Sequence, residues 1–232
     1  MNAGLLKICG ATTTDEVDLL AAAGADLVGL WHGVPGGRAE LSLDRTAELA
    51  AAARSTGVSR PMLVTFLSDP ERLAEVLERT GIEWVQLHAY QSPSVVRALR
   101  ESVPSGVTIV KVLHLADDGC VERRLIPAYE RAGTDVFLFD RVGADGRVGS
   151  TGVRLPEAAV ADLVPRLNRQ FLLAGGITAG NRVDYPWLTA QPGFLGIDVD
   201  TAARDERGQF DANAVAAIAV GWGTKRAREV VG

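Results

Sequence analysis

The feature that most restricts how this chain can fold is a set of eight short apolar runs spread from residue 5 to residue 199: LLKICGA, DLVGLWH, PMLVTFL, WVQLH, VTIVKVL, VFLFD, FLLAGG and FLGIDV. They lack polar alternation, so each fits a strand buried on both faces, as a parallel sheet covered by helices requires. Helical patterns fill the intervals. TDEVDLLAAAGAD puts Val17, Leu20 and Ala21 on one face after the cap-like Thr14 and ends at Gly24. LSLDRTAELAAAARSTG and SDPERLAEVLERTG repeat the pattern, the second with Asp69 as N-cap and Pro70 at the first helical position. Further helices are expected near 92–102, 121–132, 156–167, 179–187 and 211–223, the fourth of these disrupted by Pro186.

Eight strand-helix units in 232 residues, with no linker-like stretch, predict a closed (β/α)8 TIM barrel forming a single domain over 1–232. An open doubly wound sheet commonly has only about five or six strands. In a barrel the chemistry sits where the strands end. Cys9, His32, His88, His114, Asp140, Gly175-Gly176 and Asp198 to Asp200 all fall just there.

Charge narrows the partners. The formal net charge of -5, with Lys and Arg scattered among Asp and Glu, offers no basic stripe for nucleic acid or an anionic membrane. Asp15, Glu16 and Asp18 interrupt the N-terminal region before any leader-like or 18-residue apolar span can form, so a cytoplasmic protein is expected. Cys9 and Cys120 are too few and too far apart for a disulfide framework and are read as free thiols.

In order and spacing the motifs resemble the phosphoribosylanthranilate isomerase family of tryptophan biosynthesis. KICGAT is similar to that family's opening strand, GADLVGLW to its second, VQLHA to its fourth, FLFD to its sixth, LLAGGI to its seventh and GIDVDTA to its eighth. The resemblance covers nearly the whole chain. It implies an aldose-ketose isomerase that converts an N-substituted aminoaldose to an aminoketose by an Amadori rearrangement, with no cofactor and no metal. It also implies Cys9 as the general base at sugar C2 and Asp140 as the general acid that opens the ribose ring. Arg38, in PGGRAELS, matches an arginine that binds the anthranilate carboxylate, a task suited to a planar guanidinium. The family usually presents it after a Ser-Pro-like pair, whereas here it follows Gly36-Gly37. His88 belongs to the fourth-strand motif. VGSTGVRL resembles the family's Gly-rich loop after the acid strand, where Gly149 and Gly152 would let backbone approach the ligand. The implied partner is a small aminosugar bearing an aromatic carboxylate.

The chemistry has its own logic. A thiol with a reference pKa of about 8.5 can be tuned toward neutrality, and Lys7, two residues back on the same strand face, would favour the thiolate. Lys7 reads first as a paired core charge, and with Asp198 it is also placed among the substrate-lining residues. Without the resemblance, Cys9 would read as a small buried hydrophobe, and Asp140 equally as a loop cap or a catalytic group.

Two departures stand out. The family holds the ribose phosphate with the Gly-Gly after the seventh strand and a Ser-Ser-Gly-like turn after the eighth. Gly175-Gly176 is intact, but the second turn reads Asp200-Thr201-Ala202, a carboxylate and a β-carbon where a dianion is expected. Arg204 is the nearby cation that would offset it. The alternatives are therefore a paralogue acting on an unphosphorylated or differently decorated aminosugar, and a barrel that binds without catalysis. The second departure is His32 and His114. With His88 they could surround a zinc ion, but their barrel-wide spacing favours polar mouth residues and no metal.

Overall fold

The computed structural model describes residues 4–142 and 154–224. Eight parallel strands form the barrel: β1 (Leu5–Cys9), β2 (Leu27–Trp31), β3 (Arg60–Thr65), β4 (Trp84–Leu87), β5 (Thr108–Ala116), β6 (Val136–Arg141), β7 (Gln170–Leu173) and β8 (Phe194–Val199). Each pairs with its successor, and β8 pairs back to β1, so the sheet closes as expected. The helices α1 (Thr14–Ala22), α2 (Leu43–Ser55), α3 (Pro70–Thr80), α4 (Pro93–Ser102), α5 (Ile126–Ala132), α6 (Glu157–Leu163), α7 (Pro186–Thr189) and α8 (Ala212–Trp222) follow the strands in turn. Among the described residues no helix is long and apolar enough to cross a membrane.

Period-two alternation splits the buried residues into two cores. Side chains such as Ile8, Val28, Leu63 and Phe137 face outward to meet the helices. Leu5, Leu27, Met62, Val110, Val136, Leu138 and Leu172 fill the interior. This is why the runs read as continuously apolar: both faces are covered.

Four local expectations shift. α1 is capped by Thr13 rather than Thr14: its side chain accepts from the Glu16 N–H while Glu16 reaches back to the Thr13 N–H, a reciprocal pair that requires a glutamate three residues on. The helix expected from 121 starts at Ile126, because β5 runs on to Ala116 and turns back into an antiparallel pair with Gly119–Cys120, followed by a 3-10 turn over Arg123–Leu125. α6 stops at Leu163, and Pro165 lies in a 3-10 turn over Val164–Arg166, where no helical N–H is needed from it. The segment expected as one helix over 179–187 is a 3-10 turn, Asn181–Asp184, then a break at Tyr185, then α7 opening on Pro186.

Barrel closure depends on one close approach. Gly196 of β8 sits opposite Leu5 of β1, beside an irregularity in the β7–β8 register, with φ of 154°. A β-carbon there would lie 2.1 Å from the Leu5 carbonyl oxygen. Gly196→Ala is therefore expected to destabilise the fold by about 3 kcal/mol through overpacking. Urea unfolding measures it, and an unshifted midpoint would mean that β1 and β8 do not pair this closely.

Candidate active site

β1 directs Leu5, Lys7 and Cys9 inward, and the register sets Cys9 beside Gly29 and Lys7 beside Asp198. Gly29 makes room for the thiol: a β-carbon there would fall 2.9 Å from Cys9 Sγ. The Trp31 Nε1–H donates to the same sulfur at 3.0 Å. Lys7, fully buried, donates to Asp198 Oδ1 at 2.7 Å. Burial pulls the Lys7 ammonium down, but Asp198 and, after it, Cys9 together outweigh burial and the net direction is up.

Cys9 behaves differently from the expectation that Lys7 would favour its thiolate. Burial pushes the thiol up to about 11; Lys7 opposes this, Asp198 and Asp200 reinforce it, and the Trp31 hydrogen bond offsets part of the rise. Lys7 is committed to Asp198, so the free site holds Cys9 as a thiol at neutral pH.

Asp140, near the end of β6, is 4% exposed. Its Oδ1 accepts from the Arg141 N–H at 2.8 Å, and Oδ2 faces His88 Nε2 at 3.3 Å. The Gln86 amide N–H donates to His88 Nδ1 at 2.7 Å, which leaves the ring hydrogen on Nε2, toward Asp140. Gln86 Oε1 and His88 Nε2 are buried without an aligned hydrogen-bond partner among the described residues, and for His88 the nearest acceptor is Asp140. Asp198 joins the halves of the site: its charge is felt at Cys9, and its own carboxyl, raised first by burial, also responds to Asp140 and His88.

The three imidazoles do not converge on one point. His32 Nδ1 meets the Leu41 carbonyl oxygen at 2.8 Å. His114 lies beside Asp140 in the β5–β6 register, bonds Glu122 through Nδ1, and donates from Nε2 to the His88 carbonyl oxygen at 3.0 Å. Among the described residues no group of three or more His, Cys, Asp or Glu is arranged to hold a metal ion.

At the other side of the mouth, Asp200 accepts from Arg38 and, at 2.9 Å, from Arg204 Nε. The sequence pointed to Arg204 as the compensating cation; Arg38 proves to be a second. Two guanidiniums against one carboxylate leave this corner with a net positive charge, so Asp200 does not by itself argue against a phosphate. Thr201 and Ala202 form a 3-10 turn with Ala203, and the Ala202 β-carbon packs against the outer apolar layer. Gly175 and Gly176, with φ of 79° and 62°, turn the chain just past β7 as side-chain-bearing residues rarely do. Gly149 and Gly152 lie outside the described residues.

Sequence reasoning passed over Trp31 and Gln86. Gln86 was within reach, since it stands two residues before His88 and so shares its face. Trp31 bears the same relation to Gly29, but only the β1–β2 register brings that face to Cys9.

Residues 6–219 match the family described as N-(5'-phosphoribosyl)anthranilate (PRA) isomerase. An N-(5'-phosphoribosyl)anthranilate isomerase of Haloarcula marismortui is 31% identical over 210 residues, 90% of this chain and 92% of that protein. The fold is also that of the Thermus thermophilus phosphoribosyl anthranilate isomerase, with TM-score 0.74 at 21% identity, covering 94% of this chain and 97% of the other. A third relative was solved with reduced 1-(o-carboxyphenylamino)-1-deoxyribulose 5-phosphate; its TM-score is 0.69 at 17% identity, covering 94% and 98%.

The raised Cys9 pKa predicts how the thiol reacts. In the free protein, alkylation mapped to Cys9 should be slow at pH 7, where only about one thiol in ten thousand is ionised, and should rise about tenfold per pH unit toward pH 10. A rate that levels off below pH 8.5 would place the thiol in a far more activating environment.

Proposed function

The chain belongs to the N-(5'-phosphoribosyl)anthranilate isomerase family, and from that premise we propose that Cys9 and Asp140 carry the proton transfers of its reaction. The protein is an isomerase of tryptophan biosynthesis acting on a small-molecule substrate. The observation that supports the assignment is Asp198, which bonds Lys7 of the strand that carries Cys9 and whose carboxyl also responds to Asp140, as a base and an acid sharing one mouth require.

In the first step Asp140 gives its proton to the ribose ring oxygen. The C1–O bond breaks and the nitrogen lone pair forms an iminium at C1. That cation acidifies the C2–H and also lowers the cost of a thiolate beside it, which answers the high resting pKa of Cys9. Cys9 gives up its thiol proton to solvent beside that cation, the thiolate takes the C2 proton, and the electron pair forms the C1=C2 bond of an enaminol. Ketone formation returns the enol hydroxyl proton to Asp140, while Cys9 protonates C1. Asp140 ends protonated as it began, and the Cys9 thiolate regains a proton from solvent when the product leaves. Trp31 holds the sulfur in line, and His88, fixed by Gln86, orients Asp140.

Arg38 binds the aromatic carboxylate. Gly175-Gly176 and the Asp200-Thr201-Ala202 turn surround the phosphate end, Lys7 and Asp198 form the floor, and Gly149 and Gly152 are taken as further substrate-binding residues on the family pattern alone. The relatives do not favour the unphosphorylated-substrate or non-catalytic readings. The chain works as one domain, in the cytoplasm, without a nucleic-acid partner.

Growth of a tryptophan auxotroph lacking the isomerase, restored by this chain, tests the activity. In the purified protein Cys9→Ala and Asp140→Asn should each lower kcat by roughly a hundredfold or more with the fold retained. Near-normal turnover in either variant would remove that residue from its role.

A further inference from the structure

The guanidinium assigned to the substrate's carboxylate already holds one. Asp200, just past the end of β8, accepts from Arg38 Nη2 with both oxygens, across 162 positions of sequence, and from Arg204 Nε at 2.9 Å. The two arginines differ in how firmly they are set. Arg204 is 8% exposed, donates to the carbonyl oxygens of Gly10 and Gly208 at 3.0 and 2.9 Å, and has its guanidinium 3.6 Å over the Phe210 ring. Arg38 is 46% exposed and lies 5.6 Å over the Trp31 ring. Arg204 is built into the barrel rim, whereas solvent and ligands reach Arg38.

We propose that Asp200 is a specificity-determining residue, an internal carboxylate that competes with the substrate's carboxylate for Arg38 and stays on Arg204 when Arg38 is released. The proposal rests on the substrate reading given above. A ligand that must displace a preformed pair binds with its intrinsic affinity reduced by the fraction of sites in which the binding group is free. An aromatic carboxylate can make the exchange, because it replaces one charge-assisted pair with another. A neutral group at the same position cannot, and leaves Arg38 on Asp200. Asp200 thus lowers the advantage of a charged aglycone over a neutral one without abolishing it.

The test is calorimetric titration of the native chain, Asp200→Asn and Asp200→Ser with two probes. One is reduced 1-(o-carboxyphenylamino)-1-deoxyribulose 5-phosphate and the other its carboxamide counterpart. Both carry the phosphate, so an effect on the phosphate end cancels in the ratio of their affinities. The ratio favouring the carboxylate should rise about fivefold in both Asp200 variants, as expected for release of a half-exposed ion pair. Direct repulsion between Asp200 and the probe carboxylate would act without Arg38. The same comparison in Arg38→Ala, where Asp200→Asn should leave the ratio unchanged, separates it from competition and overturns the proposal if the ratio rises there as well. A ratio that is unchanged or lower, with the probes still bound, overturns the proposal alone. Failure of both probes to bind any of the three proteins overturns the substrate reading, and the proposal with it.

Discussion

A closed eight-stranded barrel has an interior only wide enough for side chains, so whatever faces inward must fill it and satisfy itself there. In this chain the lower interior does so with Leu5, Leu27, Met62, Val110, Val136 and Leu172. Toward the strand ends the same inward positions turn polar: Lys7, Cys9, Gln86, Asp140 and Asp198. Lys7, Cys9 and Asp198 then depend on a neighbouring strand for their partners. Leaving either charge of a buried pair alone costs about 3–5 kcal/mol, so Lys7 and Asp198 are required together. Their pairing across the β1–β8 seam ties the chemistry of the mouth to the last strand contact that closes the barrel.

The polar contacts also fix orientation. Cys9 has the room that Gly29 leaves and the hydrogen bond that Trp31 gives, both from β2. His88 is turned by Gln86 of its own strand and held through its carbonyl by His114 of β5. Glu122, brought inward by the hairpin after β5, bonds the His114 backbone N–H at 3.0 Å as well as its ring. A loop feature foreign to the basic strand-helix repeat thus supports His114, which holds the residue facing Asp140.

What could be read from the sequence follows from what is local. Strands and most helices were legible because period-two burial and caps such as Asp69-Pro70 are written within a few residues. The hairpin at Gly119–Cys120 was not, because its apolar signal is absorbed into β5 and its turn residues look like an ordinary loop. Lys7 could be read as a paired charge, but not that its partner would leave Cys9 protonated, since that depends on burial and on two carboxylates from the far end of the chain. Asp200 was legible as a departure from the family pattern. Its neutralisation by Arg38 was not, because only the folded rim brings residues so distant in sequence together.

Lys7–Asp198 and Arg38–Asp200 are both pairs of opposite charge at one barrel mouth, and exposure separates their roles. With Lys7 wholly buried and Asp198 nearly so, no solvent or ligand can replace either partner, and the pair acts as fixed scaffold. Arg204, almost as buried, gives Asp200 the same permanence on one side. Arg38 alone is half in water, where an ion pair contributes only about 0–1 kcal/mol and exchanges readily. The rim can therefore carry an acidic residue at the turn past β8 because one arginine holds it in place, while the other remains exchangeable for another anion.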